Sequence, residues 1–229
     1  VCSSDLISCN SLAQQSGVHN VDVSAFKQLV DTGKGITLDV RTQEEVDAGT
    51  LPNASVIDFY SDDFEKKINL MDKSKDIYVY CRSGGRSSKA AAILVNNGFK
   101  NVYNLEGGIT AWAGAGYPVT PSIVTEDPNI KRMTLDEFKQ LLATDLPVLV
   151  DFHTKWCAPC RQMAPVVDKL EKEFSGKAVV VRIDVDQSPE VAAAYKIKGV
   201  PVFTVFQNGE AKWSHQGLIA EEELRKQIQ

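Results

Sequence analysis

Five cysteines stand at positions 2, 9, 81, 157 and 160, and three of them sit in settings that suit sulfur chemistry. Cys81 opens the run Cys81-Arg-Ser-Gly-Gly-Arg-Ser87, behind the apolar stretch Ile77-Tyr-Val-Tyr80 and ahead of an amphipathic segment. A loop between a buried strand and a helix start has unpaired amides and the positive end of the helix dipole. Gly84 and Gly85 let the backbone curl so that several N–H groups converge. Arg82 and Arg86 add positive charge. A thiol in that cradle is expected to be partly thiolate and able to carry an anionic adduct. The blander reading is a buried cysteine before an ordinary glycine turn. Gly-Gly-Arg at a strand–helix junction speaks against it.

The second setting is Trp156-Cys-Ala-Pro-Cys160, after the apolar run Pro147-Val-Leu-Val-Asp-Phe152. A C-x-x-C turn brings two sulfurs within bonding reach. Cys157 falls at a helix N-terminus, which favours its thiolate. It can attack a disulfide, and Cys160 can then resolve the mixed disulfide. Taken as half a zinc site, the pair would need two further ligands. Cys81, His153 and His215 are distant, and there is no second C-x-x-C, so neither metal nor cofactor is expected. His153 reads as a surface-edge substitute for an aromatic, and Trp156 as packing against the turn with a secondary role in docking partners.

Two stretches of alternating strands and helices must position these sites. In the first, Ser24 is expected to cap a helix carrying Phe26, Leu29 and Val30 on one face, and Ile36–Val40 reads as a strand. Thr42-Gln-Glu-Glu45 is a capping box. Ser55–Asp58 and Ile77–Tyr80 read as strands, a helix lies within Ser61–Leu70 and another over Ser87–Val95, and Val102–Leu105 is a further strand. In the second, Thr134 and Glu137 form a capping box. A buried strand follows over Pro147–Phe152, then a helix over Ala158–Phe174 kinked at Pro165. Ala178–Asp184 is a strand, Ser188–Tyr195 a helix, and Asn208-Gly209 the turn of a hairpin joining Val202–Phe206 to Ala211–His215. Glu221–Ile228 closes the chain as a helix.

The expectation is a two-domain α/β protein: a flexible leader over 1–17, a parallel-sheet domain over 18–120, a linker over 121–128 and a second domain over 129–229. Three prolines between Tyr117 and Asn129 support the break. At 229 residues, 43% hydrophobic and 24% charged, the composition is that of a globular protein. The net charge of −5, with neither half basic, argues against nucleic acid as a partner. No apolar run is long enough to span a membrane. The chain begins with Val1 and a Ser/Asn/Gln-rich stretch carrying Cys2 and Cys9. On that ground it is expected to be exported or periplasmic, with a cytoplasmic protein as the alternative.

The first half resembles a single-domain rhodanese, a sulfurtransferase. The resemblance rests on Leu38-Asp-Val-Arg-Thr42, Glu44-Glu45, Gly49-Thr-Leu-Pro-Asn-Ala54, the Cys81–Arg86 loop, Leu105-Glu-Gly-Gly-Ile-Thr-Ala-Trp112 and Gly116-Tyr-Pro118. It implies that Cys81 takes sulfane sulfur from a small donor such as thiosulfate or a persulfide. The loop residues Arg82, Ser83, Gly84, Gly85 and Arg86 would hold persulfide and donor, while Asp39 and Arg41 brace the fold. Where the family often has Gly-His-Ile-Pro-Gly-Ala, this chain lacks the histidine and second glycine. Related phosphatases and arsenate reductases have one more residue between cysteine and arginine, and the shorter loop here suits a sulfur adduct better.

The second half is similar to thioredoxin, which implies a thioredoxin-fold domain with a mixed sheet. Val148–Phe152, Trp156-Cys-Ala-Pro-Cys160, Asp184-Val-Asp186, Gly199-Val-Pro-Val202 and Asn208-Gly209 carry the likeness. It implies a cis-proline at Pro201 facing the dithiol. It also implies a buried carboxylate at Asp151 that exchanges a proton with Cys160. Burial would raise the Asp151 pKa, whereas Arg182, in place of the usual lysine, would tune it downward. Ala158-Pro159 replaces Gly-Pro, and Lys155 replaces an acidic residue.

Two functions follow from the resemblances. In one, a persulfide on Cys81 is reduced by the Cys157/Cys160 dithiol, the tether supplying a high effective concentration. In the other, the chain is a protein disulfide oxidoreductase whose first domain is a non-catalytic module for binding clients. Both imply thiol or disulfide protein partners.

Overall fold

The computed structural model describes residues 17–121 and 132–229. The expected leader, with Cys2 and Cys9, lies outside the described residues apart from Gly17, and the expected linker does so apart from Pro121.

The first domain runs β1 (Val18–Val21), α1 (Val23–Asp31), β2 (Ile36–Asp39), α2 (Gln43–Asp47), β3 (Ser55–Val56), α3 (Phe64–Ile68), β4 (Ile77–Tyr80), α4 (Gly85–Asn96), β5 (Val102–Leu105) and α5 (Gly108–Gly114). Its five strands form one parallel sheet in the order β1-β5-β4-β2-β3. Strand β4 is central, and all four of its residues are buried. Ile77 and Val79 join the apolar cluster that holds Ala90 and Leu94 of α4. Tyr78 and Tyr80, on the other face, join Phe26 of α1 and Trp112 of α5. A strand sealed on both faces explains an unbroken apolar run that ends on Cys81.

The second domain runs α6 (Leu135–Leu142), β6 (Val148–His153), α7 (Ala158–Glu173), β7 (Val179–Asp184), α8 (Pro189–Ala194), β8 (Val202–Gln207), β9 (Glu210–Gln216) and α9 (Glu221–Lys226). Its sheet is mixed, in the order β7-β6-β8-β9, with β7 parallel to β6 and the β8–β9 hairpin antiparallel. Asn208 and Gly209 turn the hairpin with φ of 51° and 77°, the left-handed pair that Asn-Gly favours. Residues Val148, Val150 and Phe152 cluster with Phe138 and Phe206, while Leu149 clusters with Met163, Val167 and Leu170 of α7. No helix among the described residues is long and apolar enough to cross a membrane.

Several boundaries differ from the sequence reading. Asp22, not Ser24, caps α1, its carboxylate accepting the Ala25 N–H at 2.8 Å. Helix α4 starts at Gly85 rather than Ser87, because Gly84 reaches φ 100° and turns the chain straight into it. Helix α7 is the long helix expected, with Pro165 inside it, and ends at Glu173 rather than Phe174. Strand β1 and helix α5 were not expected as elements. β1 is too short for a periodic signal, and α5 is rich in glycine and alanine.

Candidate active sites

Cys81 is 1% exposed and forms the floor of its loop. Its sulfur accepts the Gly84 N–H at 3.1 Å and the Ser87 hydroxyl at 3.4 Å. Burial raises the thiol pKa, but the Ser87 hydroxyl and the amides of Ser87, Ser83 and Gly84 outweigh it, and the net direction is down. Ser87 is the contributor that the sequence reading missed. It lies one turn into α4, where a hydroxyl returns to the helix start, and its spacing from Cys81 was the available signal.

The back of the loop is held by α5. Ile109 N–H donates to the Cys81 carbonyl at 2.9 Å, and Thr110 donates to the Arg82 carbonyl through both its amide, at 3.2 Å, and its hydroxyl, at 2.9 Å. With those carbonyls tied outward, the following amides are free to face the sulfur. A Cβ at Gly108 would come within 2.4 Å of the Cys81 carbonyl oxygen, so only glycine permits this approach.

Arg82, Ser83 and Gly85 lie exposed on the rim. Arg86 is committed elsewhere: its two terminal nitrogens donate to the Glu45 carboxylate at 2.6 and 2.7 Å. That pairing holds the Glu45 pKa down at about 2, the Arg86 hydrogen bond being the largest cause. Glu45 also accepts the Thr42 N–H at 3.3 Å, so one carboxylate serves the capping box of α2 and the loop arginine. Asp39 and Arg41 form a buried ion pair at 2.6 Å, and Arg41 also donates to the Gly49 carbonyl at 2.7 Å.

In the second domain Cys157 and Cys160 form a disulfide with a Cα–Cα distance of 5.3 Å. Cys157 is the N-cap of α7, and its sulfur accepts the Cys160 N–H at 3.1 Å, so the helix start faces the first cysteine as expected. The Val200–Pro201 peptide is cis.

A family model described as Thioredoxin matches residues 129–229, and one described as Rhodanese-like domain matches residues 22–115. Thioredoxin 1 of Chlorobaculum tepidum is 38% identical over 95 residues, which is 42% of this chain and 92% of that protein. The chain belongs to the thioredoxin family. It carries a rhodanese-like domain ahead of the thioredoxin domain, as the resemblances implied. The thioredoxin of Rickettsia felis is 41% identical over 80 residues, 35% of this chain and 76% of that protein. Among solved structures, Plasmodium falciparum thioredoxin aligns at 30% identity with a TM-score of 0.40, covering 44% of this chain and 95% of that one. The Cys157–Cys160 pair is thus a C-x-x-C redox site of the thioredoxin kind.

Around this site the thioredoxin domain departs from the sequence reading at His153. The residue is 1% exposed and aligns in register with Asp184, so it is interior and not at a surface edge. Asp151 is fully buried, and Arg182 Nε stands 3.5 Å from its Oδ2, an ion pair without regular hydrogen-bond geometry. Desolvation dominates and Arg182 opposes it, leaving the Asp151 pKa raised to about 7. The Trp156 indole donates to Asp186 at 2.8 Å, which fixes the ring beside the turn.

Cys81 and the dithiol are not brought together. The Val56 N–H donates to the Trp156 carbonyl, so the redox turn lies along the free edge of β3. Val56 pairs with Asp39, and Asp39 with Tyr80. Three strand spacings therefore put that turn about 14 Å from the end of β4.

Proposed function

We propose that the chain is a sulfurtransferase whose persulfide on Cys81 is reduced by the thioredoxin dithiol. The observation that carries this reading is the cradle itself: a thiol with lowered pKa facing the amide of Gly84 and the hydroxyl of Ser87. The Cys81 thiolate attacks the outer sulfur of thiosulfate, the S–S bond breaks, and sulfite leaves with the bonding pair. The persulfide anion then occupies the amide cradle, where developing negative charge is stabilised. Arg82 supplies an uncommitted positive charge at the rim, whereas Arg86 positions the loop through Glu45.

Reduction follows in two displacements. The Cys157 thiolate attacks the outer persulfide sulfur and Cys81 leaves as thiolate. The Cys160 thiolate then attacks Cys157 Sγ, hydrosulfide leaves, and the dithiol has become a disulfide. Two electrons pass from the dithiol to the sulfane sulfur. Asp151, with its raised pKa, suits a group that accepts the Cys160 proton. Trp156 precedes the disulfide turn and Pro201 shares a cleft wall with Pro159 of that turn, and both would contact the incoming sulfur group.

Cyanolysis tests the first half directly. Thiosulfate and cyanide should give thiocyanate with the parent chain and none with Cys81→Ser. Absence of thiocyanate from the parent under all conditions would favour the other reading, a disulfide oxidoreductase with a client-binding first domain. The small donor, the thiol or disulfide protein partners and an exported location remain parts of this proposal.

A further inference from the structure

The thioredoxin domain does not offer its dithiol to solvent. Cys157, Cys160 and Trp156 are 2%, 1% and 5% exposed. Part of what covers them is the first domain. β3 is the last strand of its sheet, so among the described residues one side of Ser55–Val56 has no strand partner. The redox turn lies against that side. Val56 N–H donates to the Trp156 carbonyl at 3.2 Å, Ala158 N–H donates to Ser55 Oγ at 3.0 Å, and the Arg161 guanidinium donates to the Ala54 carbonyl at 2.6 Å. A second contact engages the segment that shares a cleft wall with Pro159 of the redox turn: Val200 N–H, just before the cis-proline, donates to the Leu70 carbonyl at 2.9 Å.

An apolar cluster runs through the same seam, from Ile57, Phe64 and Met71 to Trp156, Cys157 and Val200. A cleft of about 310 Å³ opens beside it between Gly35 and Lys75 on one side and Pro159, Val200 and Pro201 on the other, and neither cysteine lines it.

Unpaired strand edges and free backbone groups are what an extended polypeptide uses to dock. We propose that the Ala54–Val56 edge and the Leu70 carbonyl are an internal occupant of the dithiol's docking groove. The first domain thus caps the redox site, and a protein disulfide reaches Cys157 only when the two domains part. This rests on the thiol–disulfide reading of the second domain. Two of the four bonds are backbone to backbone and the other two use a backbone group on one side, so an extended client segment offers the same backbone donors and acceptors and competes with the cap. Water satisfies the same groups on opening, so each bond contributes little net and the cap can be reversible.

Two variants, one on each domain, test it in the full chain. Val56→Pro removes the edge N–H, which points away from the sheet. The sheet's own bonds here, Ile57 N–H to Asp39 and Phe59 N–H to Val40, are untouched, and proline is tolerated at outward edge positions. Arg161→Glu replaces the donor to Ala54 with a carboxylate and leaves the first domain unaltered. Reduced proteins are compared for reduction of insulin disulfides and for alkylation of Cys157 by iodoacetamide, read by mass spectrometry. Each variant should raise both rates about fivefold, the factor for one lost hydrogen bond. Rates within twofold of the parent in Arg161→Glu, whatever the folding of Val56→Pro, overturn the cap. Faster alkylation with no insulin reduction by any protein upholds the cap and overturns the oxidoreductase reading.

Discussion

The Cys81 sulfur and the Asp151 carboxyl are both taken out of water, and their surroundings push them opposite ways. Cys81 is held by hydrogen-bond donors and its pKa falls; Asp151 has only the offset Arg182 and its pKa rises to about 7. For Asp151 the folded value exceeds the model-peptide value of 3.8. Its stabilising contribution is therefore complete below about pH 4 and is lost as pH climbs through 7. Asp151→Asn should remove that loss. Chemical denaturation should find the variant and parent changing differently between pH 4 and 8, with the variant gaining on the order of 4 kcal/mol at the upper end. Parallel stability profiles would show that Asp151 is ionised in the fold throughout. The settings of Cys81 and of the Cys157–Cys160 pair, and the burial of Asp151, were legible because they rest on side chains at motif spacing. Ser87 was assigned no role and Glu45 only its place in the capping box, since the bonds to Cys81 and to Arg86 depend on partners brought from another part of the loop or the chain.

At the scale of elements, the Cys81 loop is shaped by the start of two helices. α4 begins at Gly85 and supplies amides; α5 begins at Gly108 and ties back the Cys81 and Arg82 carbonyls. Gly108→Ala places a Cβ against backbone at 2.4 Å, at φ 57°. It is expected to cost about 1–3 kcal/mol in stability and to lower thiosulfate cyanolysis more than tenfold, with the C-x-x-C activity on a small disulfide unchanged. Equal cyanolysis in parent and variant would mean that the loop does not depend on α5. Both capping boxes, the Asn-Gly hairpin and the parallel and mixed sheets could be read from sequence, because local propensity and burial agree there. The start of α1 could not, since Asp22 and Ser24 are both good caps, and tertiary context chose Asp22. Strand β3 was legible as part of Ser55–Asp58, but its place at the end of the sheet was not, since pairing order lies in no local pattern.

The whole molecule joins two domains through a seam that the sequence hides for a physical reason. Four of its hydrogen bonds use the Ala54, Leu70 and Trp156 carbonyls and the Val56, Ala158 and Val200 amides, groups that every non-proline residue carries. Docked this way, the dithiol is held about three strands away from Cys81. In the proposed function, sulfur transfer would then need the same parting of domains that the proposed cap requires for client access. Reduction of the Cys81 persulfide by the dithiol is read from sulfide release in a chain with Cys2→Ser and Cys9→Ser, pre-reduced, freed of reductant and given thiosulfate. One sulfide is expected per Cys157–Cys160 disulfide formed, and none above background when Cys81→Ser or Cys157→Ser is added. Release by the Cys157→Ser protein as fast as by its parent, with no added thiol, would contradict it.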